Sequence, residues 1–431
     1  MNTTAITFAA ATLAATLAAA AGLATPAFAQ PGDIARYKHL GAAACATSVC
    51  HGKIAPQAGA IVGLNEYRIW SQDDAHSRAY LALEKPQSKR IAAALGLGNP
   101  TTEKMCLDCH ADNVPKDKRG PKFQIRDGVV CESCHGGSEK WIENHSEAAH
   151  KRNLTEGMYP TEQPLARAQL CLSCHLGNKD KFANHLIMAG GHPRLNFELE
   201  AYTTNQPAHF VVDQDYERRK GAIPGMAMWL AGQIESARSL LMLQRGDLFR
   251  ANGIVPEPAL YDCYGCHHPI DKKGTSRPSV AGLKVGGLRL QTQNLVVLQA
   301  AFETLEPAAR DQLATLTTAL LKAGQQDTAA VNATAGAVID WLKGREALAR
   351  RKFTKAEAQD VRRSLATAGT TTTDYLVAEQ IVLGLESLSH TLGDHAAKKS
   401  ALDKLYAAVK GGTVFSPAQF AAAAKSARTR F

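Results

Sequence analysis

Two copies of one short pattern stand close together near the first third of the chain: Cys106-Leu-Asp-Cys109-His110 and Cys131-Glu-Ser-Cys134-His135. C-x-x-C-H is the attachment signature of c-type haem. The chemistry sets the spacing. Two thiols add to the two vinyl groups on one haem edge, and two intervening residues let both sulfurs reach. The histidine that follows then lies under the iron and takes its proximal axial position. Paired C-x-x-C knuckles also bind zinc, but zinc does not require a histidine after each second cysteine.

The pattern returns at Cys171-Leu-Ser-Cys174-His175 and at Cys263-Tyr-Gly-Cys266-His267. A longer version comes first, Cys45-Ala-Thr-Ser-Val-Cys50-His51. The 10 cysteines of the chain fall two to a motif and none is left over. Cys45 and Cys50 alone could form a disulfide in an oxidising compartment. Their company and the trailing His51 favour a fifth haem. The expected cofactor is therefore haem c, five copies, each covalently attached.

An iron held by a proximal histidine needs a sixth ligand to become low-spin. The chain has 15 histidines, five of them proximal. Two others, His390 and His395, lie far from any motif and read as surface residues. Eight remain near the motifs, a surplus that distal ligation explains. His76, His145, His192 and His268 are the leading candidates. His192 sits in Gly190-Gly191-His192-Pro193, where a tight turn can present the ring. His268 adjoins His267 and so can serve only a neighbouring haem. His39, His150, His185 and His209 are second-rank candidates. Methionine is the other common distal ligand, and Met105 and Met188 lie near motifs, but histidine is far better represented. Mainly bis-histidine ligation and rather low potentials are expected.

The elements that position these groups read as helices. With 431 residues the chain is long enough for two or three domains. Residues 1–29 carry no charged side chain and end Pro26-Ala27-Phe28-Ala29, an A-x-A cleavage pattern. They are expected to be a signal peptide cleaved near Ala29, which places the mature protein in the periplasm, where c-type haem is attached. No later stretch is long and apolar enough to span a membrane. Residues 30–285 form the expected pentahaem domain, with short helices, long loops and stacked haems supplying much of the core. A longer helix follows Pro224, with Leu230, Ile234, Ala237 and Leu241 at helical spacing and Gly246 at its end. Residues 269–287 read as a linker rich in Gly and Pro. Residues 286–431 contain no cysteine and read as a bundle of about six helices. Thr354 with Glu357 makes a capping box there, and Ser416-Pro417 a helix start. The fold class is all-α.

Several of these residues resemble the cytochrome c-554 family of multihaem c-type cytochromes. Val130-Cys131-Glu132-Ser133-Cys134-His135-Gly136, with His145 ten residues on, resembles its third haem segment and a distal histidine. Trp70 followed by Ala75-His76-Ser77-Arg78-Ala79 resembles the segment carrying another. Cys106–His110 and Cys171–Leu176 fit its second and fourth sites by order. The resemblance covers roughly residues 40–200. It implies mostly α-helical electron carriers with closely stacked haems, of which the second in order is five-coordinate. Here that would be the haem on Cys106 and Cys109 with proximal His110. The chain departs from the family in its C-x4-C-H motif, its fifth site and its C-terminal helical part.

Two functions follow from these readings. One is electron transfer between redox partner proteins along closely packed haems. The other is oxidoreductase chemistry on nitric oxide, hydroxylamine or nitrite at one open haem. No motif ends C-x-x-C-K, the variant at the catalytic haem of ammonia-forming nitrite reductases, which disfavours that chemistry. The formal charge of +9 gives no support to nucleic-acid binding. Five haems bring about ten propionate charges and about five ferric ones, leaving about +4 oxidised and about −1 reduced.

Overall fold

The computed structural model describes residues 34–57, 62–146, 149–221, 225–250, 256–267, 282–284, 286–410 and 415–431. The expected signal peptide, most of the expected linker and His268 lie outside them. Among the described residues there are eighteen α-helices and no strand; the two isolated bridges join His39 to Arg119 and Tyr261 to Leu290. The all-α expectation holds.

The motif-bearing part is built as short helices on long loops. Each of the three C-x-x-C-H motifs before residue 200 closes an α-helix: Lys104–His110, Cys131–His135 and Pro164–His175. A helical turn is what lets the two cysteines and the histidine project together, since residues three and four apart share a face. The two other motifs lie in tighter turns. Cys263–Gly265 is a 3-10 helix, and Ala42–Ala44 is a 3-10 turn leading into Cys45.

Among the described residues beyond 286 seven α-helices follow, one more than the sequence suggests: Gln293–Leu305, Pro307–Ala323, Thr328–Lys343, Lys355–Gly369, Tyr375–Leu392, His395–Val409 and Pro417–Arg428. The Thr354–Glu357 capping box is formed in both directions, and the Ser416 side chain caps the last helix. Asp374, Asp327 and Thr354 each accept from the backbone N–H groups their helices leave without partners. Arg362 is buried and forks onto both carboxylate oxygens of Asp394, at 2.6 and 2.9 Å, in the turn after Tyr375–Leu392. A bidentate pair of this kind fixes orientation as well as adding energy.

The Gly225–Arg245 helix does not stay with the motif-bearing part. It is apolar nearly all round, and sixteen of its residues are buried, which marks it as a core helix rather than an amphipathic one. Trp229, Leu230, Ile234 and Leu241 share one continuous core with the C-terminal helices. Gly384 explains how closely it approaches: a Cβ there would come within 3.1 Å of Trp229 Nε1 and of Leu365 Cδ1. Its other side meets Pro164–His175 and Leu199–Asn205.

Polar contacts join the same two regions. Arg194 donates to both oxygens of Glu379, at 2.6 and 2.7 Å. Gln380 Nε2 donates to the carbonyl of Phe197 at 3.0 Å, and the Ser387 hydroxyl donates to Glu198. The helix Tyr375–Leu392 thus holds the chain that runs from His192 to Tyr202.

Candidate metal centres

Each of the five motif histidines has a second imidazole facing it. His51 faces His145 with ring centroids 6.0 Å apart, and His76 faces His175 at 6.1 Å. His110 faces His192 at 6.4 Å, His135 faces His209 at 6.3 Å, and His267 faces His185 at 6.0 Å. These separations have a physical meaning. A metal–imidazole bond is about 2.0 Å and a ring nitrogen lies about 1.1 Å from the ring centre, so two imidazoles on opposite sides of one metal have centroids about 6.2 Å apart. All five pairs fall on that value, and direct ring stacking would bring them much closer. The residues therefore fit an iron between each pair.

The inner nitrogens support the same arrangement. A ligating histidine donates its other N–H to a carbonyl or carboxylate, which fixes the tautomer and the ring plane. Nδ1 of His110 donates to the carbonyl of Ala79 at 3.0 Å, that of His145 to Ile142 at 2.7 Å, and that of His192 to Pro193 at 2.7 Å. A carbonyl can only accept, so Nε2 of each ring carries the free lone pair. Nδ1 of His51 bonds Glu66 at 2.8 Å, and Nδ1 of His76 bonds Asp74 at 2.9 Å. Asp74 is held well below the usual carboxylate range: burial works against its charge, but bonds from His76 and Gln206 outweigh burial. His135 is driven by burial down to about 3, so its ring stays neutral and able to ligate.

No two of the ten cysteines are joined to each other, Cys45 and Cys50 included. Motifs distant in the chain meet through their sulfurs. The Cys45 sulfur lies beside that of Cys131, and the Cys109 sulfur beside that of Cys174. The attachment edge of the first motif therefore adjoins the third, and that of the second adjoins the fourth. Cys263 of the fifth motif borders a cleft that His175, Phe182, Met188, Arg194 and Phe197 also line.

The leading distal candidates divide as follows. His76, His145 and His192 each face a proximal ring; His268 is outside the described residues. His185 and His209, second-rank in the sequence, complete the other two pairs. His185 opens the helix His185–Ala189, whose Asn184 cap accepts from Ile187 N at 2.9 Å, while its own N–H donates to Glu257 at 2.7 Å. His39 is fully buried with both nitrogens occupied, Nδ1 by Asp112 at 2.8 Å and Nε2 by the carbonyl of Ile34 at 2.9 Å. Burial disfavours its charge, but Asp112 raises its pKa above the ordinary histidine value. His150 pairs with Glu162 at 3.1 Å. Neither faces a proximal ring. Met105 is exposed.

Beside His110, where the resemblance implies an open face, the His192 ring stands opposite at 6.4 Å. Gly191, at φ 107°, makes the left-handed turn that carries His192 there, a conformation that glycine adopts without strain. The sequence showed a presented ring but not which proximal histidine it meets.

Residues 44–136 match the family described as cytochrome c554 and c-prime. The matched segment holds the first three motifs, His51, His110 and His135 included. Over this segment the chain resembles a c-type cytochrome, a class that binds haem covalently and serves in electron transfer. Among curated proteins and among solved structures, nothing matches the chain. No helix among the described residues is long and apolar enough to cross a membrane.

Proposed function

We propose that this chain is an exported pentahaem electron-transfer protein with a bis-histidine iron at every haem. The observation that carries the reading is the set of five facing imidazole pairs. Cys45 and Cys50, Cys106 and Cys109, Cys131 and Cys134, Cys171 and Cys174, and Cys263 and Cys266 are the thioether donors. The axial pairs are His51 with His145, His110 with His192, His135 with His209, His175 with His76, and His267 with His185. Haem, when bound, supplies one-electron exchange at its iron. The chain supplies the rest: Nδ1 hydrogen bonds fix the rings of His51, His76, His110, His145 and His192, so little has to move there when charge changes, and the chain brings motif edges together. Those contacts favour passage of electrons among cofactors, with redox partner proteins as donor and acceptor.

The competing reading, turnover of a small nitrogen species at an open haem on His110, needs an empty face that His192 covers. Residues 1–29 belong to the proposal as the cleaved export signal. Residues 30–285 carry the haems and residues 286–431 are free of them, the helix Gly225–Arg245 being the element through which the two pack.

The intact mass of the exported protein should exceed that of the processed polypeptide by five haem masses. An increment of four, with Cys45 and Cys50 oxidised to a disulfide, would overturn the count.

The ring planes allow a second, sharper test. His51/His145 and His185/His267 are tilted by only 30° and 35°, whereas the other three pairs lie at 82°, 88° and 90°. Near-parallel imidazoles donate into one iron d orbital and split the pair, giving a rhombic low-spin ferric spectrum. Perpendicular rings leave the pair nearly degenerate and give a strongly anisotropic signal, an axial-ligand effect on the iron's electronics. Electron paramagnetic resonance of the oxidised protein should resolve both classes, three strongly anisotropic haems to two rhombic. A spectrum with one class only would contradict the assigned pairs.

A further inference from the structure

Outside the haem sites, three ligating side chains converge at the turn joining Tyr375–Leu392 to His395–Val409. Glu386 and His390 lie one helical turn apart on the first helix, and His395 opens the second. One ligand atom from each lies within 4.8 Å of the other two. We propose that Glu386, His390 and His395 bind a divalent transition-metal ion of the zinc or copper type and pin these two helices together.

Donor chemistry narrows the ion. Two imidazoles and one carboxylate suit zinc, copper or nickel, whereas calcium and magnesium prefer oxygen alone. Spacing is compatible. Bonds of ~2.0–2.1 Å hold tetrahedral donors about 3.3 Å apart. Rotation of half-buried side chains closes the remaining gap, and His395 and Glu386 keep 31 % and 17 % of their side-chain surface exposed. An ion and its completing water can therefore enter from solvent.

The His390 and His395 rings stack at 3.8 Å with an angle of 18°, so the side-chain rotation that seats an ion also turns the two rings out of that stack. The carboxylate is already organised. The Tyr406 hydroxyl, on the second helix, donates to Oε2 of Glu386. That leaves Oε1, which lies 3.6 Å from His395 Nε2, turned toward the histidines. A hydrogen bond of this kind orients a carboxylate ligand and is worth about 10- to 100-fold in affinity. The turn is itself anchored: Gly393 takes a left-handed φ of 76°, and Asp394 is gripped by the buried Arg362. Among the described residues the other histidines do not compete, because ten of them face one another in pairs and His39 and His150 are engaged.

The test uses the full haem-loaded protein, stripped with a chelator and titrated with zinc chloride by calorimetry. One Zn²⁺ per chain should bind with a Kd on the order of 1 µM. His390→Ala and His395→Ala should each weaken it at least about tenfold, and Tyr406→Phe by about tenfold. His395→Gln guards against misfolding, since this residue is half-exposed at a helix start; its haem spectrum should be unchanged while zinc affinity falls. Cu²⁺ in place of zinc should show hyperfine coupling to two nitrogens in electron paramagnetic resonance. Failure of the parent protein to bind zinc would overturn the proposal. So would binding that survives the double substitution His390→Ala with His395→Ala.

Discussion

A His192→Ala protein should bind carbon monoxide at one haem per chain, and the parent should bind none. The reasoning starts from the ring opposite His110. His192 Nδ1 donates to its neighbour's carbonyl, which leaves Nε2 free to ligate, and the centroids of the His192 and His110 rings are 6.4 Å apart. Removing the imidazole leaves two thioethers and the proximal histidine in place, and haem attachment should be unaffected. The iron would lose its sixth ligand, become high-spin, and gain an empty face. Reduced protein should then show a carbon monoxide difference spectrum amounting to one haem equivalent, with a matching high-spin signal in the oxidised form. Added imidazole should restore the low-spin state, which a general loosening of the fold would not do. If the parent already binds carbon monoxide at one haem, the His110–His192 pair is not closed in solution and the open-haem reading returns.

The same substitution at His185 or His209 has a different weight, because neither was a leading candidate from sequence. Proximal ligands are legible at once, since attachment chemistry fixes the interval between the cysteines and the histidine. Distal ligands carry no such local rule. Each comes from a segment far along the chain, and His76 and His185 even precede the proximal histidines they face. His192 stood out because its glycines announced a turn. His209 sits after Gln206-Pro207-Ala208 and gives no periodic or turn signal that distinguishes it from His150. His39 shows the converse: it looked available, but it is a buried strut between Ile34 and Asp112.

The fold was legible to a similar depth. Helical periodicity located the Gly225–Arg245 helix and most of the bundle, and the capping box at Thr354 marked its helix start correctly. Periodicity records which face of a helix is apolar and not what that face meets. Nothing local in Trp229 or Ile234 says that they join the core of the C-terminal helices rather than face porphyrin. The glycine at 384 was the available hint, since a glycine inside a strongly apolar helix often marks a close approach of another element. The ion pair between Arg194 and Glu379 is likewise invisible until the two segments meet.

Glu132→Ala should destabilise the haem-loaded protein by about 3 kcal/mol, more than any other single charge removal around the motifs. Glu132 lies inside the third motif, yet it is only 1 % exposed. Its carboxylate accepts from the backbone of Leu40 at 2.7 Å, Gly41 at 2.7 Å and Ser138 at 2.9 Å, and from the Ser138 hydroxyl at 2.5 Å. Three main-chain donors would be stranded by the substitution, and burial offers them little water in exchange. The consequence reaches further than energy. Leu40 and Gly41 lead directly into Ala42–Ala44 and the Cys45 motif, so Glu132 is the residue that holds the first attachment site against the third. Glycine completes the join: a Cβ on Gly137 would meet the Tyr37 carbonyl oxygen at 2.3 Å, so only glycine lets that segment pass. Urea unfolding followed by circular dichroism should show the loss. Intact mass should show a second effect, a larger fraction of chains lacking the haem on Cys45 and Cys50. Glu132→Gln should fall between, since its amide keeps one acceptor oxygen but turns an N–H₂ toward donors. A shift below about 1 kcal/mol in Glu132→Ala, the net worth of one ordinary hydrogen bond, would mean that the four contacts are not made together in solution. The contact between the first and third motifs would then need another cause.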